Sequence, residues 1–270
     1  MAGPSRAELE VMYRVSLAVH RVVRDAATSP HRADVVAMGA DGTPTEALDR
    51  LAENEILRVL DAEGVDWDLV SEEAGRVPRG GDRTLVVDPI DGTMNALRNF
   101  PFFAVSLALG TETLGGIELG LVRDLHRGTT YWAVRDEGAY CDGRPIHTRP
   151  WVPNGEVLVV NLGHRATERT VRLAGQGRRI RSLGCASLEM LLVAQGSVDA
   201  YVFENSNEKT NLRSTDIAAA YRILHEAGGG VTDALHRSID GFPLGVDQRT
   251  SVFAWGDARL PPSLSEAGLL

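Results

Sequence analysis

An α/β fold is what this 270-residue chain predicts, and three features carry the reading. Apolar residues recur at helical spacing near the start, the middle is rich in β-formers bounded by glycine and aspartate, and strand-like and helix-like segments alternate towards the end. With 43% hydrophobic residues the chain can build one large core or two fused smaller ones.

The segment from Arg6 to Ala27 places Leu9, Met12, Val15, Val19, Val22 and Val23 at helical spacing with charges between them, which predicts an amphipathic helix. A second helix is expected over Thr45 to Ala62. Between the two, SPHRADVVAMGADGTPT reads as a short strand followed by a turn-rich, mobile loop, because Gly39, Asp41-Gly42 and Pro44 punctuate it. From Asp66 to Ile146 the segments WDLVSEE, RTLVVDP, FFAVSLALG, GIELGLVRD and TTYWAVRDEGAYCDG are strand-like. Arg149-Pro-Trp-Val-Pro-Asn154 then marks a boundary, giving an α+β half over residues 1–148 and an α/β half over 149–270. In the second half the strands EVLVVNLG and DAYVF alternate with the helices SLEMLLVAQ and DIAAAYRILHEAG. The last of these, Thr215 to Ala227, carries Ile217, Ala220, Tyr221 and Leu224 on one side and stops at Gly228-Gly229-Gly230. Asp216 falls in its first turn, where free N–H groups hold a carboxylate and turn it away from the core.

The net charge of −9 and pI near 5.3 exclude nucleic acid as the main partner, since binding a phosphate backbone needs a basic face. Two cysteines without CxxC spacing, and an N-terminus interrupted by Glu8, Glu10 and Arg14, predict reduced thiols and a cytoplasmic protein. No apolar run approaches the roughly 20 residues of a membrane span. The seven histidines lack metal-ligand spacing, and Gly228 to Gly230 is a helix stop rather than a nucleotide-binding fingerprint.

The chemistry concentrates in LVVDPIDGTMN. Pro89 cannot continue a central ladder, so the strand is expected to stop there and leave Asp88 and Asp91 to converge at its carboxyl end. The amides of Gly92 and Thr93 would open a short helix and offer N–H groups to a phosphate. Such a place suits Mg²⁺, a hard cation held by a few carboxylates together with phosphate oxygens. Two acids are too few for a two-metal site, so others must come from Glu72 or Glu73, Asp216 and Asp49. The duller readings are a pair of turn formers at a strand end, a plain helix cap at Asp216, one of Glu72 and Glu73 as a surface acid, and Asp41 and Asp49 as a turn former and a solvated helix face.

D-P-I-D-G-T followed by Asn95, S-E-E-A-G before it and T-D-I-A-A-A-Y-x-I-x-x-E-A-G-G after it resemble the inositol monophosphatase family. The G-A-D-G-T-P-T loop and the R-S-L-G-C-A-S-L-E-M-L-L-V-A-Q-G-S-V-D-A-Y run are similar to its archaeal-type branch, which acts on inositol phosphates and fructose 1,6-bisphosphate. The match covers residues 38 to 235, and three blocks in the right order are far more specific than one acidic pair. The resemblance implies the layered αβαβα sandwich of the sugar phosphatase superfamily, a homodimer, two or three Mg²⁺ ions, and hydrolysis of a small phosphorylated substrate by a metal-activated water. By the same resemblance Glu72, Asp88, the Ile90 carbonyl, Asp91 and Asp216 bind metal, Asp41 and Asp49 assist a further ion, and Glu72 and Thr93 orient the water. Gly92 and Thr93 hold the phosphoryl group, while Gly184, Cys185 and Ala186 lie near the sugar or inositol ring. Arg181 is a candidate for a second phosphate. Lys209 stands where many inositol phosphatases place a substrate-binding acid, within a lengthened ENSNEKTNLR segment, which favours a substrate with an extra negative group. The rival readings are a 3'(2'),5'-bisphosphate nucleotidase, a biosynthetic sugar phosphatase and a non-catalytic metal-binding scaffold.

Overall fold

The computed structural model describes residues 6–40, 44–177 and 179–266. The first helix, α1 (Arg6–Ala26), buries Met12, Val15 and Val19, as its spacing predicts. The VVAM segment forms β1 (Val35–Met38), which pairs with β2 (Pro44–Glu46) in a two-stranded ribbon. That pairing takes up Thr45 and Glu46, so α2 (Ala47–Glu63) starts two residues later than the apolar spacing suggested; it ends on Gly64 in the left-handed region.

An eight-stranded sheet follows, built from β3 (Asp68–Ser71), β4 (Gly75–Val77), β5 (Thr84–Asp91), β6 (Ala104–Gly110), β7 (Ile117–Asp124), β8 (Thr130–Val134), β9 (Ala139–Cys141) and β10 (Arg144–Ile146), in the order β10-β9-β8-β7-β6-β5-β3-β4. Only β3 and β5 pair in parallel. A short helix, α3 (Thr93–Leu97), leaves the end of β5. The second sheet takes β11 (Leu158–Val160), β12 (Ile180–Arg181), β13 (Ala200–Phe203), β14 (Gly230–Thr232) and β15 (Val252–Trp255) in the order β12-β11-β13-β15-β14. Its helices are α4 (Glu168–Gln176), α5 (Ala186–Ala194), α6 (Ser214–Glu226) and α7 (Leu260–Glu266).

Alternation along the strands sorts these elements into five layers. On one face of the large sheet Leu85, Val87, Val105 and Leu107 pack with Met12, Val15, Ile56 and Leu60 of α1 and α2. On the other, Val86, Ala104 and Ala108 pack with Ile217, Ala219 and Met190 of α6 and α5, which in turn meet Val159, Tyr201 and Ala254 of the second sheet. Leu173 of α4 and Leu260 and Leu264 of α7 cover that sheet's outer face. Small residues set the distance at which α6 rides on the sheet: a Cβ on Gly120 would stand 2.5 Å from the Ala219 carbonyl oxygen.

β5 does not stop at Pro89. It runs through Asp91, and between the pairs Asp88–Ser106 and Asp91–Ala104 it holds one residue more than β6. A β-bulge explains both facts, since it accepts a proline and re-aims the side chains on either side.

Candidate active site

The bulge turns Asp88 towards two other acids. Glu72 directly follows β3, whose Ser71 pairs with Val87, and the Glu72 N–H donates to the Val87 carbonyl at 3.3 Å. Asp216 sits in the first turn of α6, where the Arg213 N–H donates to its carboxylate at 2.8 Å and the Thr215 hydroxyl at 3.2 Å. One carboxylate oxygen from each of Glu72, Asp88 and Asp216 lies within 4.8 Å of the others.

Burial is the main cause of an Asp88 pKa well above the ordinary carboxylate range, and the charges of Glu72, Asp91 and Asp216 add to it. Burial also raises Asp216, opposed by Arg213.

Asp91 has different company. Its carboxylate caps the N-terminus of α5, accepting from Ala186 N–H (3.1 Å), Ser187 N–H (2.6 Å), the Ser187 hydroxyl (2.5 Å) and the Cys185 thiol (3.2 Å). Burial still raises its pKa, but the Ser187 bonds work in the opposite direction. These donors come from α5, far along the chain, so no local motif around Asp91 announces them.

The Thr93 hydroxyl lies 2.9 Å from the Ile90 carbonyl oxygen and 3.1 Å from Asp49. Asp49 is buried rather than on a solvated helix face, and burial followed by the charge of Glu73 pushes its pKa up to about 8. Glu73 is not the surface acid that its neighbour's role suggested: it is buried and accepts from the Thr45 hydroxyl.

The three clustered acids, Ile90, Asp91, Gly92, Thr93, Gly184, Cys185 and Ala186 all line one cleft of about 250 Å³. Arg181 and Lys209 do not line it. The Arg181 side chain is exposed on an edge strand and donates to its neighbour's carbonyl, while Lys209 is exposed in a single 3-10 turn. Asp41 lies outside the described residues. Arg213 was not anticipated as a cleft residue, yet its buried side chain donates to Glu72 at 2.6 Å. Its signal was the spacing of three to Asp216, whose carboxylate accepts from the Arg213 N–H; the pattern was hidden because arginine, having no acceptor, is an unusual N-cap and supplies only this half of a capping box. Glu189 was also missed; it accepts from Leu183 and Gly184 N–H and so anchors the loop that carries Cys185, and burial pushes its pKa up to about 7.

Gly92 holds φ of +85°, and a Cβ there would stand 3.1 Å from the Gly184 carbonyl oxygen and 3.2 Å from Cys185 Cβ. Gly92→Ala is expected to cost about 1–2 kcal/mol in a denaturant titration. It should lower phosphate release by a larger factor, because it pushes this loop away from Thr93.

Carboxyl groups with raised pKa values keep protons in the folded chain that the unfolded chain has released. Stability of the metal-free protein is therefore expected to fall as pH rises from about 4, the unfolded value, to about 8, the value at Asp49. Thermal scans in a chelator across this window check it, and Asp49→Asn should flatten the slope.

The donor set fits a hard divalent cation: oxygen ligands only, three converging carboxylates, and mutual repulsion that a cation would relieve.

Residues 6–255 match the inositol monophosphatase family. The chain belongs to that family. Family members are phosphoric monoester hydrolases. A fructose-1,6-bisphosphatase/inositol-1-monophosphatase of Methanothermobacter thermautotrophicus is 35% identical over 93% of this chain and 92% of its own. A bifunctional NADP phosphatase/NAD kinase of Methanococcus maripaludis is 33% identical over 81% of this chain but only 42% of its own length. Among solved structures, an inositol monophosphatase-fructose 1,6-bisphosphatase superposes with a TM-score of 0.82 at 27% identity, covering 97% of this chain and 98% of its own. The family's layered sandwich is the architecture described above. Among the described residues no helix is long and apolar enough to cross a membrane.

Proposed function

We propose that the chain is a Mg²⁺-dependent phosphomonoesterase acting on a small sugar or polyol phosphate, with fructose 1,6-bisphosphate and inositol 1-phosphate as first candidates. The observation that carries this is the meeting of Glu72, Asp88 and Asp216 within 4.8 Å in a cleft also lined by Gly92 and Thr93. Glu72, Asp88, Asp216, the Ile90 carbonyl and Asp91 would hold two Mg²⁺ ions, and Asp49 would assist a third. When bound, such ions supply Lewis acidity, an acidified water and charge neutralisation at the leaving oxygen.

The chain's own residues do the rest. The Thr93 hydroxyl, beside Asp49 and the Ile90 carbonyl, can pass on a proton and fix the direction of an attacking water, with Glu72 as the acceptor on the other side. Gly92 and Thr93 amides hold the phosphoryl oxygens. Cys185 and Ala186 set the wall against which the ring rests, and Glu189 keeps that wall in place. Cys185 is no nucleophile, because burial and the neighbouring Asp91 carboxylate raise its thiol well above the usual range.

Phosphate release with Mg²⁺ across fructose 1,6-bisphosphate, inositol 1-phosphate, NADP and adenosine 3',5'-bisphosphate tests the reading. Preference for the sugar or inositol phosphate is expected. Preference for NADP would transfer the assignment to the activity in the name of the Methanococcus maripaludis relative. No release from any of them would leave the metal-binding scaffold. A homodimer, expected from the resemblance, is checked by sedimentation.

A further inference from the structure

One side chain in the acid-lined cleft carries the opposite charge and has no part in the reaction above. Arg213, the last residue of the ENSNEKTNLR segment, lines the cleft with Glu72, Asp88 and Asp216. Its guanidinium Nη1 lies 2.6 Å from Glu72 and 3.9 Å from Asp216, so it stands against two of the three acids that converge. The cation that this segment brings to the cleft is therefore Arg213 and not Lys209. This is no surface ion pair, since the Arg213 side chain is only 8% exposed. A guanidinium keeps its proton, so once buried it keeps its charge and needs carboxylates beside it.

Backbone and side chain of Arg213 have separable tasks. The backbone N–H donates to Asp216 at 2.8 Å at the start of α6, which any residue but proline can do. What the side chain adds is one positive charge among facing carboxylates, and a fixed direction for Glu72, one of whose oxygens it engages. In the metal-free protein that charge attracts the acids it touches and offsets part of their mutual repulsion. Towards an arriving divalent cation it acts in the opposite sense, because an ion bound by Glu72 or Asp216 would share that carboxylate with a like charge.

We propose that Arg213 is the cleft's built-in counter-ion, which holds the acids together before metal binds and weakens their grip on divalent cations. It acts through Glu72 and Asp216, as a positioning residue. The proposal rests on the Mg²⁺ assignment within the phosphatase reading. Its consequence is an ordered cleft whose ions exchange readily, so that occupancy follows the free Mg²⁺ concentration.

Calorimetric titration of the full chain with Mg²⁺ alone, without substrate, tests this. Arg213→Gln is expected to bind Mg²⁺ about tenfold more tightly than the wild type, while Arg213→Lys, which keeps the charge, should stay within about threefold of it. In chelator Arg213→Gln should melt about 5 °C or more below the wild type, and added Mg²⁺ should raise its melting temperature by more than it raises that of the wild type. A side chain that only props the fold would leave the dissociation constant unchanged. That result, or weaker binding in Arg213→Gln, or equal tightening in Arg213→Lys, overturns the proposal. A wild-type chain that binds no Mg²⁺ overturns it together with the metal assignment. Tighter binding in Arg213→Gln with no phosphate release by the wild type from any substrate would sink the phosphatase reading and leave the counter-ion standing. Phosphate release by the wild type with unchanged binding in the variant would do the reverse. Should Arg213→Gln not fold, Arg213→Met, which keeps the packing of the stem, takes its place in the same titration with the same expectations.

Discussion

Asp88→Asn is expected to remove turnover by a factor of roughly 10³ or more while making the metal-free protein more stable. Asp88 accepts one hydrogen bond, from the Ile90 N–H at 3.1 Å, which an amide oxygen can keep. Its other close neighbours are the carboxylates of Glu72, Asp91 and Asp216. Removing one charge from that group should raise stability by on the order of 1 kcal/mol, the value of a single unit of pKa shift. The stabilisation that Mg²⁺ gives should shrink in the same variant, because ligands stabilise the state they bind. Thermal scans with Mg²⁺ and with chelator, beside a phosphate-release assay, check all three effects. A variant that keeps its turnover, or is stabilised by Mg²⁺ as the wild type is, would sink the metal assignment.

Asp91→Asn should lose turnover to a similar extent but with the opposite effect on stability. Four donors converge on this carboxylate, two of them backbone N–H groups of α5. An amide would turn its own N–H groups towards some of them, leaving buried donors unpaired at a cost of about 2–3 kcal/mol. Two aspartates three residues apart are therefore separable by one pair of chelator melting curves. If both variants shift the same way, the contrast between Asp88, set among other carboxylates, and Asp91, held by the donors at the start of α5, is wrong.

That contrast was not legible in LVVDPIDGTMN. The sequence marks both acids by their place at the end of an apolar strand, and it marks Asp216 by its place at a helix start. What tells them apart comes from distant chain, Ser187 for Asp91 at a separation of 96 residues and Asp216 for Asp88, and no spacing rule carries that information. Glu72 and Glu73 show the same limit. Both are used: Glu72, just beyond the end of β3, reaches the Asp88 cluster, and Glu73, one residue further into the turn, accepts from the Thr45 hydroxyl. Pro89 misleads for a different reason: a proline forbids an ordinary ladder position, but the bulge that accommodates it is set by how β6 pairs, which local sequence does not state. The helices α1 and α6 were legible almost residue by residue, because a long amphipathic period is a local signal. Arg213 is hard to place from sequence because an arginine beside a serine looks like surface until the fold closes around it.

The close seat of α6 on the large sheet also constrains the order of events during synthesis. Val86, Ala104 and Ala108 face α6, yet the last strand of that sheet is complete about 80 residues before α6 is. At typical translation rates that is on the order of 4 to 16 s. Through this interval an apolar sheet face has leaves of its own chain still unmade, and the carboxylates of Glu72 and Asp88 wait for their third partner. The nascent chain should thus be most prone to aggregation and chaperone capture between the emergence of β10 and that of α6, and competence to bind metal should appear abruptly once α6 docks.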